Sequence, residues 1–380
     1  MSPLLILVLL SLGHFFVDLY SSALGVFQPA LVAKHGMSLT QAGILGGAMV
    51  FSSSVTQPLY GFLADRFPTR LFAALAPGFA GLFISALGLA PNYAGLLAMA
   101  LIGGAGVSAF HPQASSRVTA GLGGKKGQWM AIFISAGALG MATGPTYFST
   151  LIDRLGLARA AAGAIPGLIV TGLLLAFLPP PNPGGEWRAK PFHWEPLKAV
   201  WKPLTILYFL VFIRSVVQIT FAQLLPLYLH RERGYPLPAA SYTLSLYLIS
   251  GALGGFVGGH LSDRLGGRKV ILISMVSCVP FLALFFFTTG PLSVVGLALG
   301  GLTLLFTIPV NVVMAQELAP SQAGTVSALM MGFSWGSAGM IFIPLAGWLS
   351  DHFGMQTALS SLILAPIVGI FLTLKLPKHL

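Results

Sequence analysis

The chain has 380 residues, 56% of them hydrophobic and only 8% charged, with a formal net charge of +11. A soluble protein carries about a quarter of its residues as charges, so a water-dispersed fold is excluded and lipid is the expected solvent. All but one of the 20 Lys and Arg lie in loops or near span ends, Arg214 being the exception, which argues against nucleic acid, and the lone Cys278 excludes an intrachain disulfide or a cysteine-rich metal site.

A helix crossing the bilayer core needs roughly 20 apolar residues, and that ruler predicts twelve spans. Span one covers about 3–32. Its Met1-Ser2-Pro3 start has no basic leader or small-residue cleavage site, so it is expected to stay in the mature protein. His14 and Asp18, four residues apart, share one face of it. Span two (40–64) ends in the charged turn Gly61-Phe62-Leu63-Ala64-Asp65-Arg66-Phe67-Pro68-Thr69-Arg70. Spans three (70–90) and four (92–118) follow, with His111-Pro112-Gln113 and Arg117 toward the end of span four. Span five (128–152) contains Gly140-Met141-Ala142-Thr143-Gly144-Pro145 and closes on Asp153-Arg154-Leu155-Gly156; span six is 158–178.

The polar stretch 179–200, opening Pro179-Pro180-Pro181-Asn182-Pro183-Gly184-Gly185, reads as a linker between an N-terminal bundle (1–178) and a C-terminal one (201–380). Span seven (201–229) carries Arg214 and, four residues on, Gln218. Span eight (239–262) runs into Gly259-His260-Leu261-Ser262-Asp263-Arg264-Leu265-Gly266-Gly267-Arg268. Spans nine (269–289) and ten (291–317) bring Asn311 and Gln316. Span eleven (323–350) ends in Asp351-His352-Phe353-Gly354, and span twelve is 355–375.

Two markers recur at one offset. Asp263 follows Asp65, and Asp351 follows Asp153, by 198 residues each. The expected fold is therefore an all-α membrane protein of twelve transmembrane helices in two pseudo-symmetric six-helix bundles, with the substrate path between the halves. Placing the N-terminus in the cytoplasm puts 14 Lys and Arg on that side against 5 on the other. The positive-inside rule then predicts both termini and the linker in the cytoplasm, in the inner (plasma) membrane.

This pattern of six plus six helices with a charged turn after spans two and eight resembles the major facilitator superfamily; the second turn fits better than the first, which departs at Pro68-Thr69. Within it, three stretches resemble the fosmidomycin resistance protein group: Gly13-His14-Phe15-Phe16-Val17-Asp18-Leu19-Tyr20 with Phe27-Gln28-Pro29, Gln57-Pro58-Leu59-Tyr60-Gly61, and Ala109-Phe110-His111-Pro112-Gln113-Ala114-Ser115. The resemblance implies a proton-linked exporter, some relatives conferring drug resistance, with small-molecule substrate, protons and bilayer as its partners. It also implies a monomer, no cofactor and no nucleic acid. Gly61, Asp65, Arg66 and Arg70, with Gly259, Asp263, Arg264 and Arg268, would then latch the halves when the cavity faces outward; alternatively the arginines only enforce topology. Gly140, Gly144 and Pro145 form part of an antiporter-type motif, incomplete because Phe148 and Ser149 stand where the full motif has glycines.

A charge at the bilayer centre costs at least about 2.5–3.5 kcal/mol, so Asp18 and Arg214 each need a reason. Asp18 with His14 and His111 is expected to take up a proton, and Arg214 with Gln218, Gln113 and Asn311 to hold an anionic or polar substrate. The competing reading is a permanent Asp18–Arg214 ion pair, with His14 and His111 as interhelical hydrogen-bond partners. Gln113, Asn311 and Gln316 also read as polar glue between helices, Tyr247 and Trp335 as packing, and Arg117 as a snorkelling cation. The rival function is uptake, proton-coupled or facilitative, of an organic acid, amino acid or sugar. An enzyme is not expected, because the eight histidines lack metal spacing along the chain and no metal site is anticipated.

Overall fold

A computed structural model of the protein describes residues 2–67, 69–118, 126–180 and 195–377. All regular structure among them is helical. Ten segments are long and apolar enough to cross a membrane: α1 (Pro3–His35), α3 (Leu71–Leu89), α4 (Tyr93–Val118), α6 (Arg159–Phe177), α7 (Trp201–Arg231), α8 (Leu237–Leu265), α9 (Gly267–Phe287), α10 (Gly290–Leu318), α11 (Pro320–Phe353) and α12 (Met355–Leu374). Helix also fills the positions expected for spans two and five. Those are α2 (residues 39–66, built from Leu39–Val50, a π-turn Phe51–Val55 and Gln57–Arg66) and α5 (Lys126–Leu155). Residues 181–194 of the expected linker, and Pro68 of the first charged turn, lie outside the described residues.

Helix ends follow local chemistry. The Ser38 hydroxyl accepts the Gln41 N–H (3.1 Å) while the Gln41 side chain accepts the Ser38 N–H (3.0 Å), a reciprocal cap that starts α2. Cations bind the carbonyls left open at helix C-termini, where the dipole favours positive charge, and they do so in both halves. Lys34 donates to Gly88 O (2.8 Å) and Ala90 O (3.2 Å) at the end of α3. Arg233 donates to Phe286 O (2.6 Å) and Thr288 O (2.7 Å) at the end of α9. Arg70 donates to Leu178 O after α6, and Arg268 to Thr373 O (3.3 Å) and Leu374 O (3.1 Å) of α12.

The first and second halves of the chain meet along α2 and α11, α1 and α7, and α5 and α8. On the α2–α11 seam the backbones nearly touch: a Cβ at Gly43 would lie 2.6 Å from Ile343 O, and one at Gly347 would strike Leu39 O. Asp351, in the last turn of α11, accepts the Leu39 N–H (2.8 Å) and the Thr40 N–H (2.7 Å) and hydroxyl (2.6 Å). Thr146 of α5 and Ser245 of α8 share a hydrogen bond of 2.9 Å. Past the π-turns Phe51–Val55 in α2 and Leu329–Phe333 in α11 the seam loosens. A Cβ at Gly332 would find its nearest α2 atom, Gln57 Oε1, only at 3.9 Å. The halves are thus sealed at the end that holds Asp351 and packed more loosely toward the end that holds the charged turns.

Candidate functional site

Three buried or half-buried groups converge from α1 and α4. His14 Nε2 lies 3.3 Å from Asp18 Oδ2, and His111 Nε2 lies 3.2 Å from Asp18 Oδ1. The expected meeting of span one with span four is therefore made, one histidine to each carboxylate oxygen. His14 is held on its other side by Phe133 O at 2.8 Å from Nδ1 and by the Phe133 ring, stacked at 4.2 Å. His111 Nδ1 faces Val107 O at 2.9 Å, one turn back on its own helix. The two imidazoles sit edge to face with centroids 5.1 Å apart. Asp18 and His14 side chains are 10% and 8% accessible, but that of His111 is 26%, so His111 is the door to the cluster.

The proton count follows from the partners. A carbonyl oxygen can only accept, so Nδ1 of both rings carries hydrogen and donates to Phe133 O and Val107 O. In a neutral ring of that tautomer Nε2 is a bare lone pair pointing at a carboxylate oxygen. Each Nε2···O contact therefore needs one proton to be a hydrogen bond, wherever along it that proton resides. Two protons satisfy both contacts and give the cluster a net charge of +1. Loss of one sets two lone pairs face to face and breaks a contact.

The space for this cluster is made by α5. A Cβ at Gly137 would fall 2.5 Å from His14 Nε2 and 2.6 Å from Asp18 Oδ2. One and two turns on, Gly140 and Gly144 rest against the backbone carbonyls of Phe15 and Leu19, where a methyl has no room. The antiporter-type glycines thus let α1 and α5 pack, and Pro145 lies in the same helix. Sequence reasoning missed Phe133 and Gly137. Gly137 carried a signal, since it extends the Gly140, Gly144 stripe backward by three residues.

Arg214 sits on α7 and is 4% exposed. It donates to Gln218 Oε1 (2.5 Å) and Ser215 Oγ (3.2 Å), its guanidinium carbon lies 5.6 Å from the Trp335 ring centre, and its Nε has no partner. With Val211, Ile308, Met330 and Trp335 it lines a pocket of about 100 Å³. Among the described residues Arg214 has no acidic partner. Asp18 is engaged by the two histidines, so the alternative of an Asp18–Arg214 ion pair is not made here. Asn311 on α10 is fully buried and neither amide atom has a partner.

Other expected residues lie elsewhere. Gln113 accepts the Ala73 N–H (2.8 Å) and donates to Thr69 O (2.6 Å), so both its amide groups tie α4 to the start of α3 instead of facing substrate. Gln316 donates to Ser327 Oγ (2.7 Å) between α10 and α11, and Arg117 donates to Pro179 O. In the charged turns the Asp65 side chain lies outside the described residues. Asp263 and Arg264 are exposed, as is Arg66, and Asp263 has no ion pair among the described residues. Arg70 and Arg268 bind within their own halves. Gly61 and Gly259 make no close approach in this conformation: an added Cβ would sit 3.6 Å from Pro112 and Pro309, ordinary contact.

The sequence matches the family model of the Major Facilitator Superfamily over residues 10–343 and 239–379. It is 26% identical to the fosmidomycin resistance protein of Escherichia coli (strain K12), covering 98% of this chain and 93% of that one. It is 29% identical to the MFS-type transporter YfnC of Bacillus subtilis (strain 168), over 96% and 91% of the two chains. The fold is similar to the crystal structure of a bacterial homologue of the human lysosomal transporter Spinster in an inward-facing, occupied conformation. That match has a TM-score of 0.83 and 13% identity, covering 98% of this chain and 97% of the other.

Proposed function

The chain belongs to the Major Facilitator Superfamily, a multi-pass membrane transporter and not an enzyme, and from that premise we propose that it is a proton-coupled antiporter exporting a small amphiphilic or anionic compound. Its two six-helix halves, 1–178 and 201–380 joined by the linker 179–200, rock about the substrate as a monomer in the inner membrane, with both termini cytoplasmic. The observation that carries the reading is the cluster of His14, Asp18 and His111, whose two Nε2···O contacts each require a proton. Protonation ties α4 to α1 through His111; loss of a proton frees the more accessible ring toward the cavity.

Arg214 supplies the other half of the exchange. A buried guanidinium with neutral partners and a free Nε favours an anion beside it, and the adjacent Trp335 gives an apolar face for the rest of the molecule. Seal at the Asp351 end and slack at the charged turns correspond to a cytoplasm-facing cavity, and Asp65 with Asp263 would latch in the opposite state. Export agrees with the similarity to a resistance protein.

Asp18→Asn tests the reading in proteoliposomes. It should abolish uphill movement driven by a pH gradient while leaving exchange of labelled for unlabelled substrate in place. Undiminished uphill transport would remove Asp18 as the proton carrier.

A further inference from the structure

The cluster that takes protons has a second chemistry. We propose that His14, Asp18 and His111 form a binding site for one divalent first-row transition-metal ion, of which Zn²⁺ is the type, with two imidazole nitrogens and one carboxylate oxygen as ligands. The site is independent of proton coupling and follows from ligand type and placement.

Both histidines present Nε2 and donate Nδ1–H to a backbone carbonyl, Phe133 O at 2.8 Å and Val107 O at 2.9 Å. That is the second-shell arrangement which fixes tautomer and ring direction in metal-binding histidines. The three ligand atoms lie within 4.8 Å of one another. Bonds of about 2.0–2.1 Å in tetrahedral geometry set ligand atoms roughly 3.3–3.4 Å apart; His14 Nε2 lies 3.3 Å from Asp18 Oδ2, and His111 Nε2 lies 3.2 Å from the other oxygen, Oδ1. A single-oxygen site requires His111 to turn from Oδ1 toward the oxygen that His14 faces, a movement left to it as the least enclosed of the three. Gly137 leaves the point between His14 Nε2 and Asp18 Oδ2 unfilled. The partly exposed His111 gives the ion an entry path and leaves a fourth position toward the cavity.

Charge fits as well as shape. Two protons on two neutral imidazoles and one carboxylate sum to +1, and so does one divalent ion on the same three groups. Among the helices packed on α1, α3 has no titratable group within Leu71–Leu89, α6 has only Arg159 at its first residue, α5 presents Phe133 and Gly137 to the cluster, and α7 carries Arg214, which is engaged by Gln218, Ser215 and Trp335. The other ionisable groups of α4, Tyr93 and Arg117, bond to Gln41 O and Pro179 O. Nitrogen and oxygen donors without sulfur select Zn²⁺, Co²⁺ or Ni²⁺ over Mg²⁺ and Ca²⁺.

The test uses the full chain without an affinity tag, purified in detergent and stripped with chelator. Co²⁺ alone should bind at one ion per chain with visible ligand-field bands, Zn²⁺ should displace it, and Mg²⁺ should not. His14→Gln and His111→Gln should each lose the bands. X-ray absorption of the wild-type Zn²⁺ form, which needs no variant to fold, should show a nitrogen and oxygen shell containing two imidazoles. Absence of bands in the wild type, retention of them in both histidine variants, or a shell with fewer than two imidazoles would each overturn the site. None of these readouts involves transport, so failure here leaves the proton-coupling experiment with Asp18→Asn to stand or fall separately.

Discussion

Asp351 accepts the N–H and the hydroxyl of Thr40, and so joins the last turn of α11 in the second half to the first turn of α2 in the first. The carboxylate also takes the Leu39 N–H, placing negative charge on a helix N-terminus with its donors open. The repeat-related Asp153 makes no such bond among the described residues and is exposed. The sealed end of the molecule is therefore held asymmetrically.

Asp351→Asn should shift the resting population toward the state open at that end. Hydrogen bonds to a charged group contribute about 1.5–3 kcal/mol, so loss of the charge should move the equilibrium by roughly tenfold. Double electron–electron resonance between labels at Arg154 and His352, in a chain with Cys278 replaced by alanine, reads that shift as growth of a longer distance. Asp153→Asn in the same labelled chain should leave the distribution unchanged.

Packing of α1 against α5 makes a second contrast. Gly140→Ala would drive a methyl into Phe15 O, a backbone atom that cannot rotate away. Overpacking of this kind costs about 1–3 kcal/mol, and thermal unfolding in detergent should show a clear fall in Tm. Gly61→Ala, whose added atom would meet Pro112 at 3.6 Å, should fall within about 0.5 kcal/mol of wild type.

Much of this architecture was legible because charge is so scarce in the chain. Asp65 and Asp263, or Asp153 and Asp351, stand out against an apolar background, and their common offset of 198 residues reveals the duplication. Asp18 with His14 was legible from helical spacing, and His111 from its place before Pro112 toward the end of span four. What stayed hidden depends on helix rotation and local backbone. Membrane helices are apolar on most sides, so periodicity does not say which face meets which neighbour. Gln113 looked like a cavity residue and instead caps α3, because a polar face on α4 serves a backbone end as readily as a ligand. The π-turn at Phe51–Val55 was invisible, since one extra residue in a turn leaves hydropathy unchanged. An added Cβ at Gly61 or Gly259 would meet only Pro112 or Pro309 at 3.6 Å, so no close contact in this conformation accounts for glycine there.

Arg214 gives the most discriminating prediction because its effects on stability and on function should have opposite signs. Its guanidinium is buried, bonded to the neutral Gln218 and Ser215, and without an acidic partner among the described residues. An uncompensated buried charge costs stability, and replacing it with a neutral group of similar length removes that cost. Arg214→Gln should therefore unfold at the same temperature as wild type or higher. For an anionic substrate the same change removes a charge-assisted hydrogen bond, about 1.5–3 kcal/mol, and KM should rise by roughly 10- to 100-fold. Arg214→Lys keeps the charge but not the planar fork, so its KM should fall between the two. A destabilised Arg214→Gln with unaltered KM would identify the residue as a structural strut; a stable one with raised KM identifies it as the anion's partner.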